Sequence, residues 1–211
     1  MAGVEAAVEA LAPRPGELVL DAGCGTGLTV RGYGRPGVRV VALDLSPESL
    51  RRLQAESVVA EVAPVRGDLR SLPFADGTFD RVLCANALQQ VPGEGRRAQV
   101  VRELARVARL GGQVVITTHG LPPQKRLAGV AREGPAGGHS GGVRYIYRHQ
   151  PGELRGLLAS ALTVEHLGGA AFPLPYRLKL SPLSRQVERV LRRVPGAAAW
   201  GNMLVAVCRK A

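Results

Sequence analysis

The stretch Val19-Leu20-Asp21-Ala22-Gly23-Cys24-Gly25-Thr26-Gly27 constrains the fold more than any other part of the chain. Apolar residues run into an acidic one, and three glycines follow at alternate positions. This is the pattern of a buried strand ending in a turn that only glycine can make. Ligands of open α/β sheets collect at the carboxyl ends of the strands, so a ligand is expected on this turn. The spacing excludes two nucleotide loops. A dinucleotide fingerprint, G-x-G-x-x-G/A, needs Gly or Ala at position 28 or 30, where Leu28 and Val30 stand, and a P-loop needs a Gly-Lys-Ser/Thr ending, whereas no lysine lies near.

Further acidic residues recur where the next strands end. Val38 to Leu43 reads as a second strand that stops at Asp44, and Ser46-Pro47-Glu48 then supplies a cap, a first-turn proline and a first-turn acid for a helix. A carboxylate there can accept from both hydroxyls of a ribose. A third strand, Val62 to Arg66, leads to Gly67-Asp68-Leu69, and a fourth, Arg81 to Ala85, leads to Asn86-Ala87-Leu88-Gln89-Gln90.

Taken together, acidic-x-Gly-x-Gly-x-Gly, the Asp68 to Asp80 stretch "D-x-x-x-L-P-F-x-D-x-x-F-D", the turn Arg106 to Gly112, and a helix at Pro151 resemble the class I S-adenosylmethionine-dependent methyltransferases, most closely the type 11 or UbiE-like group. The resemblance implies a Rossmann-like α/β fold: one domain over residues 1–211, with a seven-stranded, mostly parallel sheet of order 3-2-1-4-5-7-6 and helices on both faces. It implies S-adenosylmethionine as cofactor, with Asp21, Gly23, Gly25 and Gly27 on its methionine and ribose side and Cys24 beside it. By the same resemblance Asp44 and Leu45 lie at the ribose, Asp68 and Leu69 at the adenine, and Asn86 beside the reacting methyl. The family often carries a His-containing pair where Gln89-Gln90 stands; glutamine can orient an acceptor but cannot take up its proton.

Elsewhere the patterning predicts helices over Val4 to Leu11, Thr26 to Tyr33 and Glu94 to Arg109. In the last of these, Arg96, Arg97, Arg102, Arg106 and Arg109 form a solvated face. Gln113 to Thr118 reads as strand five. Residues 120–150 read as a lid loop with one helical turn near Lys125 to Val130, closing on an extended segment that sets Tyr145, Tyr147 and His149 on one side. Strand six is expected at Leu162 to Leu167 and the last strand at Trp200 to Cys208. Between them, at 172–196, comes a basic helix capped by Ser181, with Leu183, Val187, Val190, Leu191 and Val194 on one face.

Charge is unevenly placed: through His119 there are 14 Lys+Arg against 13 Asp+Glu, and from Gly120 onward 14 against 4. This basic half would steer an anionic or amphiphilic small molecule. It leaves RNA methylation as a second reading and permits contact with an anionic membrane surface, although an aromatic share of 4% is low for a reader of single-stranded RNA. A cofactor-binding protein without catalysis is a third reading, suggested by Gln89-Gln90 alone. If the acceptor arrives protonated, the candidate bases are His119, Tyr145, Tyr147 and His149. Cys24, Cys84 and Cys208 show neither disulfide nor metal-ligand spacing, and without a leader or an apolar span a cytoplasmic location is expected.

Overall fold

The computed structural model describes residues 2–56, 61–137, 143–172, 184–194 and 196–211. Among the described residues there are nine strands: β1 Leu18–Ala22, β2 Arg39–Asp44, β3 Val62–Arg66, β4 Phe79–Ala85, β5 Ala108–His119, β6 Glu133–Gly137, β7 Val143–Tyr147, β8 Thr163–Ala170 and β9 Met203–Arg209. Seven of them make one sheet in the order β3-β2-β1-β4-β5-β9-β8. The strands from β3 to β5 run parallel, and β9 lies antiparallel to both its neighbours. The order is the expected one; only the numbering shifts, because β6 and β7 form a separate hairpin.

Alternation along the strands divides the core between the two faces of the sheet. Leu20, Val82, Cys84, Val114 and Ile116 face α4 (Glu94–Val107) and α6 (Pro151–Ala159), packing with Val100, Val101, Leu104, Leu154 and Leu158. Val19, Val40, Ala42, Leu83 and Val115 face α1 (Ala2–Leu11), α2 (Leu28–Tyr33) and α3 (Pro47–Glu56), meeting Leu11, Val30, Tyr33, Leu50 and Leu53. All three cysteines are buried, and burial pushes the thiols of Cys84 and Cys208 up to about 12, so they are packing groups rather than nucleophiles.

Several expectations need correction. The segment after β5 carries the expected helical turn as α5 (Pro123–Leu127), but it is not otherwise a loop: β6 follows and pairs antiparallel with β7. Glu133-Gly-Pro-Ala-Gly137 has no alternation of its own, and its pairing with β7 supplies what its side chains do not. Strand β5 begins at Ala108, which pairs with Phe79 before a bulge, so the preceding helix ends at Val107. The arginines of α4 do not share a solvated face. Arg97 is buried, and Arg106 reaches Glu103, Asp76 and the carbonyls of Leu72 and Phe74 at 2.7–3.0 Å.

The basic helix is α7 (Ser184–Arg193); Ser181, Pro182 and Leu183 lie outside the described residues. Glu188, not the whole apolar stripe, fixes it to the sheet. That buried carboxylate accepts the amides of Ala171 at 3.1 Å and Phe172 at 3.0 Å, while Val190 and Val194 stay exposed.

Because Arg106 ties the Leu72–Asp76 segment to α4 through several charge-assisted bonds, Arg106→Leu is expected to lower the stability by about 2 kcal/mol. Arg52→Ala removes an exposed pair with Glu48 and should change it by roughly 0.5 kcal/mol or less. Urea unfolding of the two variants checks the contrast.

Candidate functional site

The glycine turn leaves β1 with φ of 80° at Gly23, 54° at Gly25 and 80° at Gly27. Two of these positions also have no room for a side chain: a Cβ on Gly23 would lie 2.5 Å from the Ala87 Cβ, and one on Gly27 would lie 2.4 Å from Leu53 Cδ1. Gly25 has nothing within 4 Å, so the middle of the turn is open to a ligand. The end of β2 holds the turn from beneath. Leu43 O accepts the amides of Gly23 at 2.7 Å and Cys24 at 3.0 Å, and Asp44 Oδ2 accepts that of Gly25 at 2.8 Å. Asp44 Oδ1 takes the Ser46 amide at 2.9 Å, and Ser46 Oγ in turn caps α3 by accepting from Ser49 N at 3.2 Å. Each oxygen of Asp44 keeps lone-pair capacity beyond these bonds.

Asp21 lies under the turn, fully buried. Its Oδ2 accepts the hydroxyls of Thr29 at 2.7 Å and Tyr33 at 3.1 Å, and its Oδ1 has no protein partner. Burial pushes the carboxyl up to about 6 against the pull of those two hydroxyls. Leu45 is 61% exposed beside the turn, and Leu69 Cδ1 lies 3.6 Å from where a Gly23 Cβ would stand. Asp68 is held by Arg70, whose Nη2 and Nε reach Oδ2 at 2.6 and 3.0 Å, and this pairing keeps its carboxyl below the usual carboxylate range. Asn86 has a positive φ of 56° at the end of β4; its amide donates to Thr117 O at 3.0 Å and its Oδ1 is buried without a partner.

The remaining candidates separate. In the 3-10 turn Leu88–Gln90, Gln89 points inward with an unpartnered Oε1, whereas Gln90 is exposed and donates to Asn86 O at 3.1 Å. His119 is half-buried, and burial with the charges of Lys125 and Arg148 holds its imidazole below the ordinary value. Tyr145 donates to Glu133 across the hairpin at 2.6 Å. Tyr147 is buried, its hydroxyl bound to Glu153, and burial with that bond pushes it up to about 12. His149 is fully buried beside it, ring centroids 4.8 Å apart, with Nδ1 3.0 Å from Thr118 Oγ1 and no partner on Nε2. Burial holds this imidazole down to about 4, so it is neutral at pH 7. Arg97 was missed as a site residue because helical spacing alone placed it outward; its guanidinium lies 3.8 Å over the Tyr147 ring.

Residues 20–116 match a family model described as a methyltransferase domain. A demethylmenaquinone methyltransferase of Beutenbergia cavernae is 36% identical over 118 residues, which are 56% of this chain and 47% of that one. The chain spans about half the length of the curated relatives it matches. Among solved structures, an S-adenosylmethionine-dependent methyltransferase of Methanosarcina mazei superposes with a TM-score of 0.71 at 16% identity, covering 94% of each chain. A Burkholderia thailandensis 1,6-didemethyltoxoflavin N1-methyltransferase with bound S-adenosylhomocysteine gives 0.63 at 22% identity, covering 99% of this chain and 78% of that one. The fold is therefore that of the class I methyltransferases.

Two outcomes test this geometry. Gly23→Ala forces a Cβ against Ala87 at a left-handed φ and should cost about 2 kcal/mol or more, read by thermal unfolding. Between about pH 4, where an unfolded aspartate titrates, and about 6, the folded chain holds its Asp21 proton longer than the unfolded one. Asp21 therefore makes the fold less stable as pH rises through that window. Asp21→Asn is expected to remove this downward slope in urea unfolding; an unchanged slope contradicts the buried, protonated carboxyl.

Proposed function

We propose that the protein is an S-adenosylmethionine-dependent methyltransferase acting on a small-molecule acceptor. The observation that carries this reading is the open glycine turn whose middle amide is fixed by Asp44. The donors and acceptors around it fit such a cofactor. Asp44 has capacity left for ribose hydroxyls, Asp21 Oδ1 and Asn86 Oδ1 are buried acceptors without donors, and Leu45 and Leu69 offer apolar surface for an adenine.

When bound, the cofactor supplies a methyl group on a sulfonium that is already an activated leaving group. The chain's own task is to align an acceptor and exclude water, and positioning of that kind can account for roughly 7–11 kcal/mol of barrier. The rigid turn holds the donor side; Asn86 and Gln89 after β4, and His149 after β7 where it bonds to the end of β5, face the acceptor side. Gln89 orients by hydrogen bonding. The β6–β7 hairpin and α5 serve as the cover over that side, as the lid expected over residues 120–150.

A small acceptor is favoured over RNA by the aromatic share of 4%, low for a reader of single-stranded RNA, and among the described residues three of the 14 basic residues from Gly120 onward pair with carboxylates. Arg132 pairs with Glu153, Arg189 with Glu9 and Arg209 with Glu165. No helix among the described residues is long and apolar enough to cross a membrane.

Calorimetric titration with S-adenosylhomocysteine should give one site, weakened at least about tenfold, or 1.4 kcal/mol, in Asp44→Ala. Equal affinity of the two proteins would overturn the site assignment.

A further inference from the structure

Arg97 is 4% exposed in the first turn of α4, and among the described residues no carboxylate pairs with it. Its contacts are a bond from Nη1 to Val91 O at 3.1 Å, the Tyr147 ring at 3.8 Å and the neighbouring Tyr145 hydroxyl. Two other shielded arginines are paired: Arg81 with Glu17 at 2.5 Å and Arg106 with Glu103 at 2.7 Å. Glu153 does not serve Arg97, since the Tyr147 hydroxyl, Arg132 and the Gln150 amide already engage it. A buried guanidinium without a counter-charge is costly, and its planar fork is suited to a carboxylate.

A second observation lies on the same aromatic ring. His149 packs edge-on against Tyr147, and its Nε2 is buried without a partner. If Thr118 Oγ–H donates to Nδ1, the single imidazole proton sits on Nε2 and a single donor is left unmet. The opposite arrangement leaves the threonine proton and the Nε2 lone pair both unmet. Hydrogen-bond economy therefore assigns Nε2 as a donor. His149 is anchored at the end of β5, its amide on His119 O at 2.9 Å and its carbonyl taking Leu121 N at 3.0 Å, one strand away from Asn86.

We propose that Arg97 and His149 form an oxyanion subsite that holds a carboxylate of the methyl acceptor, with Tyr147 as the platform between them. The inference rests on the reading above that the glycine turn binds the methyl donor. It assigns the acceptor to the organic acids: the carboxylate lies on Arg97 and Nε2 of His149, and the nucleophilic atom extends from it toward Asn86. Charge-assisted bonds to both groups would give an acid a clear advantage over its uncharged counterpart.

The cleft of about 490 Å³ lined by Arg14, Arg81, Arg109 and Arg209 does not compete for this role. It lies at the opposite, amino-terminal edge of the sheet, and Arg81, Arg109 and Arg209 there are paired with Glu17, Asp80 and Glu165.

The test uses benzoate, salicylate and octanoate against benzamide, salicylamide and octanamide, titrated into the protein with and without S-adenosylhomocysteine. Calorimetry and the imidazole NMR signals of His149 report the binding. At least one acid should bind tenfold or more tightly than its amide and shift the His149 signals. In Arg97→Gln that advantage should disappear, while S-adenosylhomocysteine affinity stays within twofold and Arg97→Lys keeps part of it. The proposal is overturned if no acid binds or moves the His149 signals, if acid and amide bind equally, or if Arg97→Gln keeps the difference. Failure of S-adenosylhomocysteine to bind would count against the cofactor site instead, and the acid–amide comparison in its absence would still decide the subsite.

Discussion

Three consecutive backbone amides of the glycine turn are bound by the end of one neighbouring strand. Leu43 O takes those of Gly23 and Cys24, and Asp44 takes that of Gly25. The rest of the site depends on this lashing. It fixes a backbone in which all three glycines hold positive φ, two of them also closely packed and the middle one open. It also sets the carboxylate of Asp44 at the lip of the turn, with Ser46 and α3 built onto its other oxygen. Substituting Asp44 therefore loosens the turn itself and, on the proposed reading, also removes an acceptor for the ligand's hydroxyls.

Buried polar groups left unmatched by the protein cluster toward one end of the sheet. Among the described residues six such atoms occur: Asp21 Oδ1 beneath the turn, Asn86 Oδ1 at the end of β4, Gln89 Oε1 just after it, Thr117 Oγ1 near the end of β5, His149 Nε2 against that end and Gln124 Oε1 in α5. Native interiors rarely leave such atoms unpaired, so their concentration at the carboxyl edge is what a ligand-shaped gap would leave. The arginines show the same division. Arg81 and Arg109 at the amino-terminal edge and Arg106 on α4 pair with carboxylates and knit the fold, whereas Arg97 is sequestered, among the described residues, without one.

Most of the fold was legible because each element carried a local signal: alternate glycines after β1, the Ser46-Pro47 start of α3, and the apolar runs of β3, β4 and β9. The order of the sheet came through resemblance and agrees with the structure. What stayed hidden was set by tertiary context. Strand β6 exists only through its partner, the direction of Arg97 follows from Tyr147 arriving on a distant hairpin, and the inward face of α7 is chosen by two amides that Glu188 can satisfy. Of the Gln89-Gln90 pair, sequence could not say which side chain turns inward, because a single 3-10 turn decides it. Asp68, which the resemblance sets at the adenine, is already engaged by its neighbour Arg70.

A crystal structure with S-adenosylhomocysteine bound tests the central claim most directly. The account predicts the ribose hydroxyls on Asp44, the adenine between Leu45 and Leu69, and the Gly25–Asp44 hydrogen bond intact. A ligand seated elsewhere, such as in the cleft around Arg81 and Arg109, with the glycine turn bare, would contradict it.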